Sequence, residues 1–123
     1  MTVKEFFDGI GGDYCDAVSR LMNDTLIRKF VLRFPADKSF DTLKAALESG
    51  DTEAAFVAAH TLKGVALNLA FKKLAEAAIT LTDALRPENR AGYTMDHFSA
   101  MFREVDKEYG TVSAAIMRLD RGL

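Results

Sequence analysis

One cysteine, no tryptophan and two prolines stand in 123 residues. The single thiol, Cys15, rules out an internal disulfide and fits a reducing compartment. The two prolines, Pro35 and Pro87, leave long segments without a backbone breaker. Alternating apolar and polar strand patterns are missing, and no apolar run approaches the ~20 residues of a membrane span. The start, MTVKEFFDGIGGDY, lacks a charged leader followed by an apolar core, so no signal peptide is expected. Charge of one sign is also missing. Sixteen Lys and Arg against eighteen Asp and Glu give a net charge of −2, without the basic stripe of a nucleic-acid binder. Only two histidines occur, so no Cys/His cluster can form a metal site, and no cofactor is implied. These absences describe one soluble, cytoplasmic domain spanning 1–123, with no membrane and no nucleic-acid partner.

What the chain has is helical periodicity. Thr2 and Glu5 form a capping-box pattern ahead of Phe6 and Phe7, and Gly11-Gly12 breaks that helix. Asp13 can cap a second helix reaching about Met22. Asn23 or Asp24 can cap a third, striped by Leu26, Ile27, Phe30, Val31 and Phe34 and stopped by Pro35. Asp37 or Ser39 opens the next, which Ser49-Gly50 closes. Asp51 or Thr52 caps a long Ala- and Leu-rich segment that breaks near Ala70. Lys72 to Arg86 reads helical, Pro87 to Gly92 reads as loop, and Thr94 caps the last helix. Gly110 lies inside that last pattern and predicts a kink or a split.

Short connections favour antiparallel neighbours. The expected architecture is all-α: an antiparallel up-down four-helix bundle over 37–121, with short accessory helices over 1–34. In the alternative, the 23–34 helix joins the four and the last segment is shorter.

Residues 51–70 read DTEAAFVAAHTLKGVALNLA. At about 100° per residue, Ala55, Ala58, Leu62, Val65, Ala66 and Leu69 form one stripe that should face the core. His60 falls on the opposite side, among Phe56, Val57, Lys63, Gly64 and Leu67. Neutral imidazole is a nucleophile near pH 7 and can accept a phosphoryl group on a ring nitrogen. Lys63, at i+3, can bring positive charge to the phosphoryl oxygens. Gly64, at i+4, costs about 1 kcal/mol of helix stability against Ala and removes bulk beside the ring. Phe56, Val57 and Leu67 would leave apolar surface around a polar centre, as a protein contact does. Taken singly, each feature has a plainer reading: a solvated histidine, a solvated lysine, a glycine marking close helix packing. His97, in the first turn of the last helix, has no further ligands to make a metal site with His60.

The string AHTLKGVALNLAFKKLAEAA, residues 59–78, resembles the signature of histidine-containing phosphotransfer domains, whose core is His-x-x-Lys-Gly. The likeness extends back over Gly50 to Ala59. The Gly-Gly-Asp-Tyr and Arg-Leu-Met runs, residues 11–14 and 20–22, look like those of stand-alone bacterial members. The resemblance implies a four-helix bundle with the phosphoacceptor histidine exposed midway along one helix. It implies His60 as the acceptor, Lys63 as the basic residue near the phosphoryl group and Gly64 as the small residue opening the approach. It further implies exchange with the aspartate of a response-regulator receiver domain. The chain has no Gly-rich nucleotide loop, no evident pair of acidic metal ligands and no second base near His60, so it is expected to be a monomeric carrier whose partner, a receiver domain and/or a hybrid histidine kinase, supplies metal and donor. Val65 and Ala70 depart from the family, where Ser and Gly are frequent. The open alternative is a docking or adaptor module of the same fold that never takes phosphate.

Overall fold

The computed structural model describes residues 1–122. Seven α-helices follow in order: α1 (Val3–Ile10), α2 (Tyr14–Leu21), α3 (Asp24–Arg33), α4 (Ser39–Glu48), α5 (Thr52–Asn68), α6 (Lys72–Leu85) and α7 (Met95–Arg121). Two 3-10 turns, Phe34–Ala36 and Arg90–Gly92, join α3 to α4 and α6 to α7. Helices α4 to α7 pack each against the next, and α7 returns to α4, which closes an up-down four-helix bundle. No helix among the described residues is long and apolar enough to cross a membrane.

Most helix starts follow from local capping. The side chains of Thr2, Asp13, Asn23, Asp51 and Thr94 each accept a backbone N–H from the residue three further on. The start of α4 departs from the expectation. Lys38 holds the cap position without a side-chain bond, and Ser39 is the first helical residue. Asp37 instead accepts the backbone N–H and the hydroxyl of Ser39.

Helix α7 has 27 residues against 10 in α4, about 40 Å against 15 Å at 1.5 Å per residue. The surplus needs other partners, and α1 and α3 pack against it. This accounts for α3 standing outside the four. Helix α7 also runs through Gly110 without a break. Gly110 faces solvent, while Val105, Val112, Ala115, Ile116 and Leu119 bury the opposite side. Burial of five apolar side chains outweighs the ~1 kcal/mol propensity cost of one glycine.

The end of α5 is closed by a Schellman-type turn. The Phe71 N–H reaches the Ala66 carbonyl at 2.9 Å, with Ala70 in the left-handed region at φ 57°. The N-terminal segment is fastened here. The Asp13 N–H donates to the Ala70 carbonyl at 3.1 Å. Gly12 sits so close that a Cβ would lie 2.7 Å from the Phe7 ring and 3.1 Å from the Ala70 oxygen. Neither neighbour yields easily, since Phe7 is fully buried and Ala70 O is backbone. Gly12→Ala is therefore expected to cost about 1–3 kcal/mol, read as a lower urea midpoint.

Candidate functional site

The site lies on the outer face of α5. Inward, Ala55, Ala58, Leu62, Ala66 and Leu69 are buried as the helical wheel requires, and Val65 is half-buried against the core. Ala59 is buried as well, because α5 is clasped between α4 and α6 and hides a wide arc. Small side chains on that arc let the neighbouring helices approach. His60 is exposed midway along the helix.

Lys63 is half-buried one turn further on, with its Cβ about 5–6 Å from that of His60. Among the described residues no carboxylate forms a salt bridge with it. Its charge is left free to act outward. A Cβ built on Gly64 would meet nothing within 4 Å. Close packing, the plainer reading of a mid-helix glycine, therefore does not explain it. The glycine leaves open space on the face that His60 occupies.

The apolar surroundings are uneven. Val57 and Leu67 are 56% and 39% exposed. Phe56 is half-buried against the core, its ring 6.2 Å from that of His60 and tilted by 31°. Sequence reasoning left one neighbour unplaced. The Arg86 guanidinium lies 5.8 Å from the centroid of the Phe56 ring, within cation–π range, and its Nε bonds Asp83 at 3.2 Å. Arg86 holds the cap position after α6, and only the antiparallel register of α5 and α6 brings it beside Phe56. Next to it, Arg90 reaches Glu53 at 3.0 Å and ties the loop after α6 to the first turn of α5. The Arg86 and Arg90 guanidiniums thus stand at the Phe56 end of α5, each engaged by a carboxylate, Asp83 and Glu53 respectively.

The second histidine is placed elsewhere. His97 Nδ1 accepts the Thr94 N–H at 3.0 Å, completing a capping box at the start of α7. Its ring serves the helix end. Among the described residues no group of three or more His, Cys, Asp or Glu is arranged to hold a metal ion.

Chemically, the face offers an accessible nitrogen nucleophile, positive charge within a turn of it and room for a second molecule. No curated protein and no solved structure matches the chain. The family model of the Hpt domain matches residues 32–115, more than half of the chain, running from the end of α3 into α7 and including His60, Lys63 and Gly64. The chain therefore belongs to the Hpt domain family, helical bundles of two-component phosphorelays that interact with receiver domains and histidine kinases.

Proposed function

We propose that this protein is a phosphorelay intermediate that carries a phosphoryl group on His60 and exchanges it with the aspartate of a receiver domain. The observation that carries the reading is Gly64: a glycine inside a helix, at a cost of about 1 kcal/mol, with nothing packed on it and an exposed histidine one turn before. Access for a partner explains that arrangement, whereas packing within the chain does not.

In the transfer, the lone pair of one imidazole nitrogen attacks phosphorus. The N–P bond forms as the P–O bond to the aspartyl carboxylate breaks, and the carboxylate leaves with the electron pair. The ring proton stays on the other nitrogen. While both bonds are partial the charge is spread over the three equatorial phosphoryl oxygens and the departing carboxylate, so positioning and positive charge do most of the work. Lys63 supplies that charge, and Arg86 stands by as a second cation. Phe56, Val57 and Leu67 belong to the partner contact, and the Arg86 guanidinium lies over the Phe56 ring. Cys15, a lone exposed thiol, fits the reducing cytoplasm in which such a relay would work.

The test is transfer from a radiolabelled phospho-receiver domain, followed by peptide mapping. Acid-labile, base-stable label on the peptide containing His60 is the expected result. Stable binding of a receiver without label would make the protein a docking module instead. Gly64→Ala refines the test. A methyl group there is expected to raise the melting temperature by roughly 3–6 °C, through the ~1 kcal/mol gain in helix propensity. The same change is expected to slow receiver-driven labelling about tenfold, because small displacements of reacting groups are costly.

A further inference from the structure

Helix α2 lies outside the residues that the family model matches, yet it borders the face that carries His60. A groove of about 270 Å³ runs between the start of α2, the end of α5 and the outer side of α6. Asp13 and Asp16 form its α2 wall, Leu67 and Ile79 lie along its apolar floor, and Lys72 and Glu76 stand on the α6 rim. Leu67 is seven residues beyond His60, about 10 Å along the helix axis. A protein–protein interface of ordinary size covers about 800 Å² on each partner, a disc of roughly 16 Å radius. A receiver centred on His60 therefore reaches the groove.

The geometry points to α2 as a wall of the receiver's footprint, selecting a partner that seats an apolar side chain flanked by Lys or Arg in this groove. The inference rests on the phosphocarrier reading above. The apolar requirement comes from Leu67 and Ile79. The charge requirement comes from the rim. Arg20 pairs with Asp16 at 2.9 Å, and Lys72 adds one cation, but Asp13 and Glu76 form no salt bridge among the described residues. The balance of these five groups is negative, so a cation on the partner is favoured there and an anion rejected.

The wall is held rather than draped. The Asp13 N–H is bonded to the Ala70 carbonyl, Gly12 is lodged against Phe7, and the Tyr14 hydroxyl donates to Asp24 at 2.6 Å. That last bond pushes the Tyr14 pKa up, since the phenol must keep its proton to make it. A fixed wall loses little entropy when a partner docks, which suits a surface that discriminates.

The experiment compares two labelling routes on the full chain. Phosphoramidate is a small donor that needs no docking. A phosphorylated receiver domain, chosen as the fastest donor in a panel from the host genome, does need it. For Asp16→Lys and for Glu76→Lys, the ratio of receiver-driven to phosphoramidate-driven labelling at sub-saturating receiver is expected to fall about tenfold. The deficit should shrink as salt is added, and Glu76→Asp should restore the wild-type ratio. A ratio unmoved by Asp16→Lys overturns the role of α2. A wild-type chain that takes no phosphoryl group from phosphoramidate overturns the phosphocarrier reading itself, and this inference with it.

Discussion

His60→Gln is expected to bring receiver-driven labelling down to background, a loss on the order of a thousandfold or more, as removal of a reacting nucleophile does. Glutamine keeps a polar side chain of similar reach but has no nitrogen lone pair to attack phosphorus, since its amide nitrogen is delocalised. The fold should not notice. His60 is exposed and stands on the side of α5 away from the core stripe, where substitutions usually change stability by less than about 0.5 kcal/mol. The melting temperature is therefore expected to stay within about 2 °C of wild type. The combination separates chemistry from structure. A variant that melts normally and still binds a receiver but takes no label identifies His60 as the acceptor. A variant that keeps acid-labile label would move the acceptor to the one other histidine, His97. The structure argues against that site, because the His97 ring is already committed to the Thr94 N–H.

How far such conclusions were readable from the sequence depends on how local their causes are. The capping side chains were readable because a cap bonds a backbone amide three residues away, and spacing alone defines it. The stripe of α5 was readable for the same reason: at about 100° per residue Ala55, Leu62 and Ala66 fall on the far side of the helix from His60. The start of α4 was not, because Asp37 and Ser39, both good caps by type, bond each other. Gly110 was misleading, because a glycine's propensity cost is local whereas the burial that overrides it belongs to the whole of α7. Gly12 and Gly64 make the point in opposite directions. Gly11-Gly12 read as a simple helix break, yet Gly12 is required by a contact with Phe7 and with Ala70, 58 positions further on. Gly64 read equally well as a packing glycine, and only the empty space around it distinguishes access from packing. Arg86 was invisible as a site neighbour for a similar reason, since its place over Phe56 depends on the register of two antiparallel helices.

The same long-range logic sets the largest stability effect expected in the molecule, at Phe71. This side chain is 1% exposed at the turn between α5 and α6. Its ring meets Phe34 edge-on at 5.2 Å, Phe6 at 5.9 Å and Phe7 at 6.2 Å. These partners come from the 3-10 turn after α3 and from α1, so one ring ties the N-terminal helices to the bundle. Phe71→Ala is expected to cost about 3–5 kcal/mol, from lost burial, a cavity and broken edge-to-face contacts. A domain of this size is usually stable by only about 5–15 kcal/mol. Urea unfolding then distinguishes two ways of losing that energy. If the aromatic cluster is part of one cooperative unit, the midpoint falls and the slope stays constant. If α1 and α2 come away first, the slope falls too, because part of the buried surface is already open before the bundle unfolds. In that second case Phe71→Ala should also weaken receiver-driven labelling while sparing labelling by phosphoramidate. The wall beside Leu67 would be gone, and His60, on the bundle's own helix, would remain.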